Sequence, residues 1–299
     1  MGQQILIVGV GLIGASFALA LKRAGVSGRV LGMDREPRHL LRAQQLGIID
    51  HIASDWADAM EQTDLVLLAT PVAQIGPILH ALAPYLHPDT IVTDTGSTKA
   101  DVVHAARAAL GEKCIQFVPG HPIAGRELNG PEAGLADLYV GKKVVLTPYP
   151  ENPQALVDKV EHLWQACGAH VHYLSPEQHD QIFAVVSHLP HLLAYALVDD
   201  IAHKPHADLL FQYAASGFRD FTRIAGSNAE MWRDISLANQ SALLTELDAY
   251  LAQLQRLREH LAAGDGPALQ SVYANAQRAR HSWQQMIEHG EQQAKEGGD

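Results

Sequence analysis

The chain has 299 residues, 47% hydrophobic and 18% charged, with a formal net charge of −11. That length holds two domains of about 150 residues each, and the composition is that of a globular protein. An acidic chain with no basic stripe excludes nucleic acid as an expected partner. No uninterrupted apolar run approaches the roughly 20 residues of a membrane span, and the N-terminus has no basic leader, so a cytoplasmic protein without membrane contact is expected. Cys114 and Cys167 are too isolated for a disulfide framework or a metal site, so no metal is expected.

In chain order, Gln4–Val8 reads as a strand followed by a glycine turn, and Ile13–Ala24 as a helix stopped by Gly25. Arg29–Met33 is the next strand, closed by Asp34, and Pro37–Leu46 the next helix. The strand Leu65–Ala69 and helix Ile75–Leu86 follow. Ile91–Asp94, Ile115–Val118 and Lys143–Thr147 are short strands, with the helix Lys99–Leu110 between the first two. Gln154–Cys167 and Val171–Leu174 add one more helix and strand. Short apolar strands separated by helices predict a parallel sheet covered on both faces. The fold class expected is α/β, a doubly wound Rossmann-type domain over residues 1–175.

Beyond Ser175 the pattern is helical: Glu177–His203, bent at Pro190, then Ala207–Ala215, Ala229–Ala262 and Pro267–His289. This predicts an all-α domain over 176–290. Leu243, Leu244, Leu247, Leu251 and Leu254 recur at helical spacing and need a partner surface. The polar stretch 291–299 reads as a disordered tail.

Gly9-Val10-Gly11-Leu12-Ile13-Gly14 is a G-x-G-x-x-G pattern between a predicted strand and a predicted helix, with Asp34 20 residues beyond Gly14. In that setting it predicts a dinucleotide site. Gly9 makes the tight turn, Gly11 admits the pyrophosphate, Gly14 lets helix and strand pack closely, and the helix N-terminus at Leu12 and Ile13 faces the phosphates. Asp34 would accept from the adenine ribose hydroxyls, which favours NAD; Arg35 beside it leaves NADP open. Thr70 and Pro71, after another strand, would border the same crevice.

Two further strand ends, Asp94-Thr95-Gly96-Ser97-Thr98-Lys99 and Gly120-His121-Pro122-Ile123-Ala124-Gly125-Arg126-Glu127, should reach that edge. His121, between a glycine and a proline, is placed to act as a general base. With GVGLIG, DTGSTK, GHPIAGRE, SHLPH and GFRDFTRIAGSNAEMWRDI, the chain resembles prephenate dehydrogenases and their arogenate dehydrogenase relatives over nearly its whole length.

The resemblance implies oxidative decarboxylation of prephenate to 4-hydroxyphenylpyruvate with hydride transfer to NAD⁺, in tyrosine biosynthesis. It implies that His121 bonds the ring hydroxyl, that Ser97 supports it, and that Glu127 shapes the pocket mouth. Arg223 matches the family's substrate-binding arginine, in a segment with Trp232, and suits a carboxylate. His191, and with it His188, would line the pocket. Arg126 could reach the substrate side chain, which distinguishes prephenate from arogenate and leaves arogenate or cyclohexadienyl dehydrogenase open. A homodimer through the helical domain is also implied. The alternatives are a β-hydroxyacid dehydrogenase, for which the expected helical-domain lysine has only Lys204 as a candidate, and a non-catalytic NAD-binding regulator.

Overall fold

Strands of alternating, fully apolar residues can be buried on both faces, and the first half of the chain does this. The structure, a computed structural model, describes residues 3–126 and 128–296, from 288 onward as backbone alone. The first elements are β1 (Gln3–Val8), α1 (Leu12–Arg23), β2 (Ser27–Met33), α2 (Pro37–Gln45), β3 (His51–Ile52) and α3 (Trp56–Met60). There follow β4 (Leu65–Leu68), α4 (Val72–Leu82), β5 (Ile91–Asp94), α5 (Ala100–Leu110) and β6 (Phe117–Val118). The six strands form one parallel sheet in the order β3-β2-β1-β4-β5-β6. Ile5, Ile7, Leu65 and Leu67 enter a core with Phe17 and Leu21, while Leu6, Val8, Val66 and Leu68 enter another with Ile75, Leu79 and Val102. The period of two thus splits each strand between two cores.

The later strands depart from the sequence expectation. β7 (Gly120–Pro122) and β8 (Lys143–Leu146) are antiparallel; after α6 (Gln154–Ala166), β9 (His170–Tyr173) runs parallel to β8. These three make a separate sheet rather than extending the first. Pro119 has no N–H with which to continue the β6 ladder, so the chain turns away there.

The helices begin with α7 (Pro176–Phe183), whose N-terminus is a capping box between Ser175 and Gln178. A π-helical turn, Ala184–His188, leads into α8 (Leu189–Ala202). The distortion expected at Pro190 therefore lies just before it. Proline cannot donate to the carbonyl four residues back, and the wider turn absorbs the mismatch. α9 (Ala207–Gln212), α10 (Ser216–Thr222), α11 (Ala229–Ala238), α12 (Gln240–Ala262) and α13 (Gly266–Glu296) complete the chain. The single helix expected over Ala229–Ala262 is broken at Asn239, and the short α10 was not foreseen. α13 runs past His289 into the stretch expected to be a tail; its Glu, Gln, Ala and Lys residues are strong helix formers. Residues 297–299 lie outside the described residues.

By contacts the chain divides into residues 1–243 and 244–299. The second unit is the rest of α12 with α13. Contrary to the sequence reading, one stretch, Pro176–Ala202, is long and apolar enough to cross a membrane by length and hydropathy. It also carries buried His179 and Asp180, which bond to His121 and to the Lys99 and Ala100 amides of the first half, and buried His188, which bonds to Asn239.

Candidate active site

In a sheet of this order the strand order reverses between β1 and β4, and their C-terminal ends open a crevice. The glycine turn lies there. A Cβ on Gly9, which has φ +93°, would stand 2.5 Å from the Ala69 carbonyl oxygen, and one on Gly14 2.2 Å from the Gly9 carbonyl oxygen. A Cβ on Gly11 would meet nothing within 4 Å. The first two glycines are thus required by the protein's own packing, whereas Gly11 faces open space, as a phosphate cradle requires. Leu12 and Ile13 open α1 beyond it. Asp34, at the end of β2, accepts from Val10 N at 2.8 Å and Glu36 N at 2.9 Å. These bonds aim its carboxylate at the glycine turn. Thr70 and Pro71 follow β4, and Thr70 Oγ1 is buried without a protein partner, a group left for a ligand. Arg35 is 71% exposed and 3.8 Å from Glu230.

Two strands away, β5 ends at Asp94, and Ser97 lies half-buried in the following turn. His121, on β7, meets His179 of α7: Nδ1 to Nε2 is 2.8 Å. His179 Nδ1 is 2.8 Å from Asp180 Oδ1. Asp180 also accepts from Lys99 N at 2.8 Å and Ala100 N at 2.9 Å, at the start of α5. A carboxylate can only accept, so His179 carries its proton on Nδ1 and accepts from His121 through Nε2. His121 then holds its proton on Nδ1 and leaves Nε2 as a free base. Burial pushes His121 well below the ordinary imidazole value, and the Lys99 cation acts in the same direction. Burial also lowers His179, against its bond to Asp180. Burial alone would raise the Asp180 carboxyl, but the bonds from His179, Ala100 and Lys99 outweigh it and hold it low.

A second cluster adjoins the first. His188 ends the π-helical turn, with Nδ1 3.0 Å from Asn239 Nδ2; that amide also donates to the Asp180 carbonyl at 2.8 Å. His188 must therefore accept at Nδ1. Burial, the largest influence, takes its pKa down to about 4. His191 donates from Nδ1 to the Ser187 carbonyl at 2.9 Å and stacks on Trp232 at 3.5 Å between ring centres. Burial lowers His191, against its bond to Ser187, and the Arg223 cation adds to the lowering. Arg223 opens the short turn Arg223–Gly226, which packs against α8. Trp232 Nε1 is buried with no protein acceptor.

The structure thus gathers His121, Ser97, His188, His191, Trp232 and Arg223 in one region. Arg126 is exposed, and Glu127 lies outside the described residues. Sequence reasoning missed His179, Asp180 and Asn239. Their partners are 58, 81 and 51 residues away, so no local spacing signals them.

A glycine turn and a half-buried histidine at the crevice edge of a six-stranded parallel sheet define a Rossmann-type nucleotide-binding oxidoreductase. Residues 17–173 match the family model of the prephenate dehydrogenase nucleotide-binding domain, and residues 175–275 that of the prephenate dehydrogenase dimerization domain. The chain belongs to the prephenate dehydrogenase family. It is 38% identical to a cyclohexadienyl dehydrogenase of Zymomonas mobilis over 93% of this chain and 95% of that one. It is 35% identical to a prephenate dehydrogenase of Bacillus subtilis over 92% and 75%. A crystal structure of prephenate dehydrogenase from A. aeolicus, in complex with hydroxyphenyl propionate and NAD⁺, superposes with a TM-score of 0.88 at 40% identity, covering 94% of this chain and 98% of that one. The glycine turn precedes the first residue matched by the family model, and its assignment rests on its own geometry.

Proposed function

We propose that this chain oxidises and decarboxylates prephenate to 4-hydroxyphenylpyruvate in tyrosine biosynthesis, with NAD⁺ as hydride acceptor. The observation that carries the reading is the Asp180–His179–His121 chain, which leaves His121 Nε2 unprotonated. Gly9, Gly11, Gly14 and the N-terminus of α1 would hold the pyrophosphate, and Asp34 the adenine ribose. Held there, NAD⁺ would supply the acceptor for the hydride of the hydroxyl-bearing ring carbon. His121 Nε2 accepts the hydroxyl proton as the carbonyl forms, while Ser97 orients that hydroxyl. Loss of the ring carboxylate as CO₂ then makes the ring aromatic.

Arg223 supplies charge to a substrate carboxylate, and Trp232 Nε1, buried without an acceptor, has a hydrogen bond to give at the same end. Following NADH absorbance with prephenate, and in parallel with arogenate or NADP⁺, tests the reading. Turnover of prephenate with NAD⁺ supports it; turnover of arogenate alone keeps the chemistry and corrects the substrate; turnover of neither rejects it.

The assembly proposed is a homodimer. In the single chain Leu244 is 48%, Leu251 52% and Leu254 42% exposed, apolar surface that a second copy would cover. Sedimentation showing only a species of 32.4 kDa, the mass of one chain, would reject it.

A further inference from the structure

The geometry points to Asp94 as a positioning residue for this reaction: one buried carboxylate that holds the segments carrying both Ser97 and His121 in register. Asp94 and Lys99 have side chains that are 0% exposed, and Lys99 Nζ lies 2.5 Å from Asp94 Oδ2. The same oxygen accepts from Gly96 N at 2.7 Å, and Oδ1 accepts from Gly120 N at 3.0 Å. Gly96 immediately precedes Ser97, and Gly120 immediately precedes His121. A Cβ on Gly96 would stand 2.8 Å from Asp94 Oδ2, so the close approach needs glycine there.

The clamp also closes a ring. Lys99 donates its backbone N–H to Asp180, Asp180 holds His179, and His179 meets His121. The carboxylate therefore fixes the backbone of His121 on one side, while the residue that neutralises it helps fix the imidazole partner on the other. A buried ion pair is weak evidence for stability, since apolar replacements often do as well. The two backbone amides give this pair a task that a counter-ion alone does not have. Asp94 touches neither of the reacting groups, and it acts through Ser97 and His121.

The inference rests on the proposed function for its kinetic readout, so a second readout does not use turnover. Asp94→Glu keeps the charge opposite Lys99 but moves the carboxylate by about one C–C bond, ~1.5 Å. The expected result is kcat lower by ~10²-fold, with KM and NAD⁺ affinity changed less than threefold. Nitrogen-15 NMR of the imidazoles should show the Nδ1–H tautomer of His121 in the wild type and its loss in the variant. Asp94→Asn combined with Lys99→Met removes both charges together and should fold, with kcat still depressed. Wild-type turnover in either folded variant would overturn the inference, as would an unchanged His121 NMR signature in Asp94→Glu. If the wild-type chain turns over no substrate, the proposed function fails, and the NMR comparison still decides the role of Asp94.

Discussion

The two halves of this site are held by different means. Along the sheet edge, backbone does the positioning: glycines admit close approach, and main-chain N–H groups orient Asp34 and Asp94. In α7, the π-helical turn and the break at Asn239, side chains do it, through His179, Asp180, His188 and Asn239. The first kind joins backbone N–H groups to carboxylates 2 to 26 residues away. The second is a long-range network in which each member leaves another unpaired when removed, and buried polar groups without partners cost about 1–3 kcal/mol each.

The largest expected effect comes from the base itself. His121→Asn should lower kcat by ~10²-fold or more with prephenate and NAD⁺, because Nε2 is the free acceptor. An unchanged kcat would assign the base elsewhere. His179→Gln should come next, at ~10-fold or more in kcat with little change in NAD⁺ affinity, since it sets the tautomer of His121 without touching substrate. A matching rise in KM alone would show instead that the side-chain network binds rather than orients.

The glycines sharpen the contrast between protein-facing and ligand-facing backbone. Gly14→Ala drives a Cβ to 2.2 Å from the Gly9 carbonyl oxygen and should destabilise the fold, read as a lowered Tm. Gly11→Ala meets no protein atom within 4 Å and should leave Tm unchanged while weakening NAD⁺ binding, measured by calorimetry. Equal effects of the two on Tm would remove the distinction.

The effect of pH is confined to acid conditions. His188, with a folded pKa of about 4 against an ordinary 6.5, is depressed on folding. The unfolded chain therefore binds more protons as pH falls, and stability is full above 6.5 and declines towards 4. The contribution is on the order of 3 kcal/mol. His121, also depressed, should keep the low-pH limb of kcat/KM below 6.5. Denaturant titrations of the wild type and His188→Asn across that window would check the first. An acid limb above 6.5 would contradict the second.

How much of this was legible in the sequence follows the same divide. The glycine turn, Asp34, Ser97 and His121 lie at ends of short apolar strands, and period and punctuation alone locate such ends. The separate β7-β8-β9 sheet was not legible, because Lys143–Leu146 has the composition of any buried strand. Pro119 redirects the chain without a distinctive pattern. The break at Asn239 was equally invisible, since the apolar period runs on through it while its amide serves residues far away.

The sequence by itself determined the alternating first half, the helical second half and the glycine turn between β1 and α1, because those depend on neighbours within about 20 residues. Only the tertiary structure decided which nitrogen of His121 is free, that His188 is held neutral, and that one carboxylate joins the two active segments. Each of those is settled by a hydrogen bond or by burial between residues distant in the chain, and a linear pattern holds no record of either.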